Sequence, residues 1–450
     1  MENNYPIKIP PKLKKAKNAT KDELLKLDKE ELVDRIIQLE AHNAQLKNII
    51  SKNISETDET GNKNKRQYDF SKCHHRRILL KILYFGWDYH GLAVQEDSTQ
   101  TIEHHLFKAL VKTCLIESRE KSQYHRCGRT DKGVSAFGQV ISITVRSKHP
   151  SDIQNLAESL STEIEYCKLL NRVLPKDIRA VTWMPIPDDC EAYSARFDCK
   201  KRKYKYYFPK SSLNILAMRD ACSRLIGSHD FRHLCKMDVG NGVTQFRRQI
   251  LTADIVAINE GGEPTSMYVL VLEGNAFLWH QIRCIMGVLL LIGEGNEEPR
   301  VINDLLDVET NERKPQYNMA IDVPLNLFEC TYDLEKASNW VYTDELKCVI
   351  ENLQKMWALQ SVKATMIKDC IENLENVHYT INKNKSVTEM ENCESNVVGR
   401  DSIMVYSDGL TQGVKPRIYV PLLKREVCSS LEERIEHYMK KKKLDHNIIT

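Results

Sequence analysis

The chain has 450 residues, 42% of them hydrophobic and 28% charged, with 65 Lys and Arg against 62 Asp and Glu for a net charge of +3. Two to four domains fit that length at roughly 100–200 residues each, and so even a balance excludes affinity for a polyanion through global charge, leaving clustered cations to supply it. The longest apolar run, Cys284 to Gly293, is about half the ~20 residues a membrane-spanning helix requires, and the polar start Met-Glu-Asn-Asn-Tyr has no signal-peptide core, so a soluble protein of cytoplasm and nucleus is expected.

Fourteen cysteines are scattered singly, with no Cys-x-x-Cys pair and no Cys/His grouping. Free thiols in a reducing compartment are the expectation, with no metal and no cofactor.

Residues 1–70 read as a tail, a helix and a linker. Pro10 to Lys17 is a short basic run, suited to nuclear import or simply to a solvated surface. Leu25, Leu32, Leu39 and Leu46 then recur every seventh position, with Ile36, Asn43 and Ile50 filling the seam. That pattern suits a short zipper, hence a homodimer, and equally a solitary amphipathic helix. Residues 54–70 are a polar linker.

Beyond it, a strand is expected over about 78–85, a helix over about 101–117 and a strand over about 138–146, where Ile141, Ile143 and Val145 share a face. Between the last two lies Tyr124-His-Arg-Cys-Gly-Arg-Thr-Asp-Lys-Gly133. It sets one acid, Asp131, among Arg126, Arg129 and Lys132 in a Gly-bounded turn. Neighbouring cations favour the ionised carboxylate and would also attract a phosphate backbone. Taken alone, Asp-Lys-Gly is an ordinary turn signal.

Two later segments favour the functional reading. Arg196 to Lys210 holds seven Lys and Arg, one acid and five aromatics. In a strand, Arg202, Tyr204 and Tyr206 share one side while Lys203, Lys205 and Tyr207 share the other. Cations beside aromatic faces are what unstacked RNA bases require. An edge strand guarded by lysines explains the charges but not the aromatics.

Phe277 to Gly293 reads as a buried helix in which Arg283 is the only formal charge. A guanidinium there needs a carboxylate, and Asp131 is the candidate. His280, Arg283 and Gly287 fall on one face, and Gly287 would let another backbone approach. Further on, residues 376–400 are rich in Asn, Glu and Lys and read as a mobile insert. Near the end, Ser429 and Glu432 suit a capping box, with Lys440 to Lys443 in the last turn.

Strands and helices mixed in this way indicate an α+β fold with two related halves. The order and spacing of the motifs resemble the TruA family of tRNA pseudouridine synthases. The resemblance is carried by Ile82-Leu-Tyr-Phe-Gly-Trp-Asp-Tyr-His-Gly91 with Gln95-Glu96, by Thr101-Ile-Glu103, and by Gly-Arg-Thr-Asp-Lys-Gly at 128–133. It continues through Leu170 to Arg179, Tyr193 to Phe197, Arg202 to Tyr206, His229 to Asp238, the Arg283 helix, and Lys314-Pro-Gln-Tyr317 to Leu327. Tyr124-His-Arg-Cys127 and Asp230 to Asp238 resemble the eukaryotic branch that acts on uridines 38 and 39 of the anticodon stem-loop. Gly91-Leu-Ala-Val-Gln95, where bacterial members usually carry Gly-Trp-Gln, agrees with that branch.

The resemblance implies two ferredoxin-like halves sharing an antiparallel sheet, residues 71–197 and 198–335, with a central cleft and a C-terminal extension over 336–450. It implies Asp131 as the catalytic aspartate, Tyr204 as the residue that stacks on the target, and Arg283 as the partner of the aspartate. Arg129 matches the arginine that helps extrude the nucleotide. Arg126, Lys132, Arg202 and Lys236 are further candidates for binding substrate. The reaction would detach uracil from C1′ and rejoin it through C5, with Asp131 as nucleophile at C1′ or as base at the 2′ position. Pairing with Arg283 would depress the Asp131 pKa by roughly 1–3 units. Two rivals stand beside this reading: the related eukaryotic branch that modifies other tRNA, mRNA or small nuclear RNA sites, and an adaptor with a catalytically dead RNA-binding core.

Overall fold

The computed structural model describes residues 68–442 except 155, 188–189, 191, 238, 240–241, 260–262, 337–338, 390–406 and 415–416. The chain divides after Asp69 into two units. The basic run at 10–17, the heptad leucines and nearly all of the linker lie outside the described residues.

From Phe70 onward the fold is mixed α+β around one large sheet. The first strands are β1 (His74–Tyr84), β2 (His125–Arg126), β3 (Ser135–Ser147) and β4 (Ile178–Pro185). Helices α1 (Ile102–Lys112) and α2 (Tyr166–Asn171) intervene, with two further short helices at Ser151–Gln154 and Ala157–Thr162. Then come β5 (Cys199–Pro209), α3 (Ile215–Ser223), β6 (Gly227–Asp230), β7 (Arg247–Ala257), β8 (Met267–Gly274), α4 (Gln281–Gly293), α5 (Val301–Leu306) and β9 (Leu325–Tyr332). The strand order is β4-β1-β3-β9-β5-β8-β7-β6, with β2 paired to β3 beside that path.

The sheet is antiparallel except at its middle. There β3 and β9 run parallel and share only the pairs Ser135↔Asn326 and Ala136↔Leu327. This corrects the expectation of a wholly antiparallel sheet. The pairing stops early because β9 crosses close over Gly138, where a Cβ would collide with the Phe328 carbonyl. Each side of the seam has its own apolar core. Ile78, Leu80, Ile141, Ile143 and Trp183 belong to one, and Tyr206, Phe208, Leu272, Ile285 and Leu289 to the other. Tyr204 packs against both.

Local chemistry sets the element ends. Thr101 caps α1 by accepting from His104 N at 3.3 Å. That helix stops at Lys112, short of the expected 117, because Cys114 adopts a left-handed backbone with φ 52°. The strand expected at 138–146 runs from Ser135 to Ser147. The helix expected from Phe277 begins only at Gln281, since His280 is left-handed at φ 57°. Residues 277–280 are thereby freed from the helix and form a separate link. At Gly287 the backbone of residues 318–320 does approach closely, a Cβ there meeting Asn318 O at 2.6 Å.

β5 is a central strand between β9 and β8, not a lysine-guarded edge. Its side chains alternate as expected, with Tyr206 and Phe208 in the core. Lys201 and Lys203 face the other way and meet Glu273 at 3.3 Å each, and Lys203 also meets Glu329 at 2.7 Å. Cross-strand acids therefore take up the charge of two of the seven cations read as an RNA-binding stripe.

The C-terminal extension holds α6 (Glu345–Glu389) and α7 (Leu431–Lys442). Residues 376–389, expected within the mobile insert, continue α6, and 390–400 lie outside the described residues. The capping box sits one residue later than expected. Glu433 N donates to Ser430 Oγ at 3.2 Å and Ser430 N to Glu433 Oε2 at 3.0 Å. Ser429 and Glu432 satisfy the same spacing, but the helix begins at Leu431, so Ser430 is the residue directly before it and makes the reciprocal bonds. Between the two helices the chain returns to the second core through Leu410 and Leu422. It braces the strap 314–321 there: Ile321 N donates to Leu410 O, Gln412 N to Met319 O and Cys428 N to Lys314 O.

Candidate active site

Asp131 lies in the turn before β3, and that turn is gripped by the loop after β1. Leu92 N donates to Thr130 O at 3.1 Å, Gly133 N to Tyr89 O at 3.2 Å and Gly86 N to Ser135 Oγ at 3.0 Å. Tyr84 Oη and Thr130 Oγ1 share a hydrogen bond of 2.7 Å. Gly91 is required here: its φ is +99°, and a Cβ would sit 2.9 Å from Thr130 O. The motif at 82–91 thus fixes the backbone that presents the carboxylate.

The carboxylate itself meets the 277–280 link. Trp279 Nε1 donates to Asp131 Oδ1 at 3.1 Å, and His280 Nε2 lies 3.3 Å from Oδ2. Phe277 sets its edge against Tyr204, ring centroids 5.1 Å apart. One four-residue link therefore touches both the acid and the aromatic face. Lys236 Nζ stands 4.5 Å over the Trp279 ring, and Lys236 N donates to Trp279 O at 3.0 Å.

Arg283 does not form the expected direct pair with Asp131. Its Nε donates to Ala320 O at 2.8 Å, Ala320 N returns a bond to Arg283 O at 3.0 Å, and Nη2 lies 3.8 Å from Asp322 Oδ2. The strap 318–322, admitted by Gly287, places Asp322 nearer to the guanidinium than Asp131. Nη2 is buried and has no hydrogen-bond partner among the described residues.

Electrostatics follow from this arrangement. Burial pushes the Asp131 pKa above its ordinary value, and the nearby Asp322 adds to the rise. The Trp279 hydrogen bond and the charges of Arg283 and Lys236 pull it down but do not overcome burial. The expected net depression is thus replaced by a rise. Burial, followed by the charges of Arg283, Lys236 and Lys314, pushes His280 down to about 4. His280 is consequently neutral near pH 7, and its Nε2–H can face the carboxylate.

The remaining candidates separate into two groups. Arg129 and Lys132 are exposed and form no ion pair among the described residues, and Lys236 is exposed beside Trp279. Arg126 instead pairs with Glu103, a fully buried carboxylate that also accepts from Tyr124 Oη at 2.8 Å, Arg119 Nη2 at 3.1 Å and Val94 N at 3.1 Å. Arg202 directs its guanidinium to the carbonyls of Asn275 at 2.5 Å, Arg196 at 2.9 Å and Cys127 at 3.1 Å. Both guanidiniums are thus engaged by other parts of the chain.

The sequence profile of the tRNA pseudouridine synthase domain matches residues 221–333. A tRNA pseudouridine(38/39) synthase of Mus musculus is 42% identical over 96% of this chain and 91% of its own length. The chain belongs to the tRNA pseudouridine synthase family. A Saccharomyces cerevisiae protein of the same name is 35% identical over 92% of this chain and 91% of its own length. A tRNA pseudouridine synthase A of Archaeoglobus fulgidus is 32% identical over 54% of this chain and 82% of its own length. The shorter match fits a family enzyme whose catalytic core occupies part of a longer chain, and the protein is accordingly an isomerase of this family.

Neither Trp279 nor Asp322 stands out in the sequence, and His280 reads there as a helical residue. Trp279 looked like one more apolar position of a buried helix. The only available signal was the polar pair His280-Gln281 interrupting that run. Asp322 had a weak signal, as a lone acid two residues before Pro324.

Proposed function

We propose that this protein converts uridine to pseudouridine at positions 38 and 39 of the tRNA anticodon stem-loop, with Asp131 carrying the chemistry. The observation that supports the reading best is the carboxylate of Asp131, largely enclosed yet accepting one side-chain hydrogen bond among the described residues, from Trp279, with His280 Nε2 3.3 Å from its other oxygen. Each carboxylate oxygen has two lone pairs, so acceptor capacity remains for a reacting sugar. In this reading the uridine leaves its stack at a cost of a few kcal/mol, offset by contacts in the pocket. Tyr204 supplies a stacking face, and Asp131 attacks C1′ or takes the proton at the 2′ position.

Arg283 fits a supporting role, since its Nη2 is buried, has no hydrogen-bond partner among the described residues and lies 3.8 Å from Asp322 Oδ2, and its charge favours ionised Asp131. Arg129, Lys132 and Lys236 are exposed cations suited to phosphates near the turn. The position of the anticodon stem-loop, a ferredoxin-like character of the two halves, self-association as a homodimer and residence in cytoplasm and nucleus belong to the same proposal. The 42% identity to a protein named for positions 38 and 39 favours that branch over its relatives.

The test is a map of pseudouridine in RNA from cells lacking the protein, complemented with wild type or Asp131→Asn. Loss at positions 38 and 39 that only wild type restores is the expected result. Restoration by Asp131→Asn removes the assigned role of the aspartate, and loss confined to other positions removes the assigned branch.

A further inference from the structure

Cysteines that are isolated in the sequence meet in the fold. Cys127 follows β2, its N–H bonded to Val140 O at 2.8 Å, while Cys199 opens β5 and Cys330 lies in β9. The three Sγ atoms all lie within 4.8 Å of one another, and those of Cys127 and Cys330 are 3.3 Å apart. Exposure is 1%, 8% and 1%, so the group is closed to solvent.

Packing alone does not call for three thiols at one point, because a thiol is a weak hydrogen-bond donor and otherwise behaves as a small hydrophobe. Their donor chemistry is specific, however. Thiolate sulfur selects soft or borderline ions and discriminates against Mg²⁺ and Ca²⁺. Zn²⁺ binds sulfur at about 2.3 Å in tetrahedral geometry, which sets sulfurs about 3.8 Å apart. That separation falls inside the spread of this cluster. Charge balance favours Zn²⁺ over Cu⁺. Three thiolates around Zn²⁺ leave one negative charge, and a cation stands beside them: Arg202, bonded to the Cys127 carbonyl and acting electrostatically on all three sulfurs.

Position gives the site a purpose. Cys127 leads directly into the turn that carries Asp131, whereas Cys199 and Cys330 belong to strands across the seam. The β3–β9 pairing there amounts to two residue pairs, so a bond that ties the arm before Asp131 to β5 and β9 reinforces the weakest line of the sheet.

We propose that Cys127, Cys199 and Cys330 bind one Zn²⁺ ion that fastens the Asp131 arm to the second half of the sheet. A water or the Lys201 carbonyl, 3.3 Å from Cys199 Sγ, completes the tetrahedron. Binding releases the three thiol protons to solvent and involves no change of oxidation state. The ion takes no part in the isomerisation. The inference depends on the geometry of the thiols and not on the proposed reaction.

Full-length protein, produced with zinc in the medium and purified under reducing conditions without chelator, is analysed for metal. About one zinc per chain is expected. Replacement by Co²⁺ should yield the charge-transfer absorption of cobalt thiolates, and Cys199→Ser should lose both the metal and that absorption. Wild-type protein decides the matter even where Cys199→Ser does not fold. Three results overturn the proposal: wild type without zinc that takes up neither Zn²⁺ nor Co²⁺, stoichiometric copper in place of zinc, or Cys127 and Cys330 recovered as a disulfide.

Discussion

Trp279 Nε1 reaches Asp131 Oδ1 at 3.1 Å because the neighbouring residue, His280, turns left-handed and makes the helix start only after it, at Gln281. A non-glycine residue at φ 57° carries strain, of the order of 1–3 kcal/mol, and such strain concentrates where function requires a particular geometry. The link 277–280 thus exchanges one helical turn for a donor aimed at the carboxylate.

Trp279→Phe keeps the ring and removes the donor. The hydrogen bond lowers the Asp131 pKa, so without it the carboxyl titrates at higher pH and the acid limb of kcat/KM moves upward. A hydrogen bond to a charged group contributes about 1.5–3 kcal/mol when desolvated. The effect should fall below that range because Trp279 is 40% exposed. An unchanged pH–rate profile for the variant argues against the role assigned to this hydrogen bond.

Asp131→Asn is expected to abolish turnover, retain tRNA binding and raise Tm near neutral pH. The sign follows from burial: the folded state holds the Asp131 pKa above its ordinary 3.8, so the charged form costs stability once pH exceeds the folded value. Below about 3.8, where the carboxyl is protonated in both states, the advantage should disappear. Thermal unfolding across pH measures it, and a lower Tm for the variant at pH 7 contradicts the burial argument.

His280 titrates in the opposite sense. Its pKa falls from 6.5 to about 4 on folding, so the unfolded chain binds the proton first as pH drops through that window. Wild-type stability should decline over this range by at most about 1.4 kcal/mol per pH unit from this group. His280→Asn, which tolerates the left-handed backbone, should flatten the decline. Parallel curves for the two proteins would mean that His280 is already protonated at pH 6.

Arg283→Leu should lower both activity and stability. It leaves Asp322 and Asp131 facing each other without the intervening cation and frees the Ala320 carbonyl from its side-chain donor. Breaking a fully buried pair costs about 3–5 kcal/mol, and partial exposure of Asp322 places this case at the lower end. Asp322→Asn in the same background should restore part of the loss. Denaturant unfolding and single-turnover rates together test it, since independent, additive effects of the two substitutions would separate the residues.

Exposed and paired cations should behave differently. Arg129→Ala and Lys132→Ala each should reduce the dependence of log K on log salt by roughly 0.7–0.9 for every phosphate no longer neutralised. Arg126→Ala should leave that slope intact and destabilise the fold, because Glu103 is fully buried beneath it. Filter binding of tRNA over a salt series distinguishes them, and a reduced slope for Arg126→Ala would reassign that residue to the RNA surface.

Much of the site could be read from the sequence because its parts are local. A Gly-bounded acid, an alternating strand and one guanidinium in an apolar run each produce a pattern within a few residues. Gly287 was legible for the same reason, as a missing side chain on the face of Arg283. Partner choice was not legible. Arg126 and Arg129 are three residues apart and chemically alike, yet one covers Glu103 while the other faces solvent, and only the approach of α1 decides which.

The amino-acid sequence alone determined that this is an α+β member of its family, that Asp131 sits in a Gly-bounded turn, and that Tyr204 and Arg283 lie in elements able to converge on it. These properties depend on period, turn chemistry and hydrophobicity, which act over short stretches of chain. Tertiary structure decided that Asp322 stands nearest Arg283, that Trp279 leaves its helix to meet Asp131, that burial raises the carboxylate pKa, and that three distant thiols share one point. Those outcomes depend on distances between segments far apart in the chain, and electrostatic and donor–acceptor energies vary too steeply with distance for any single segment to specify them.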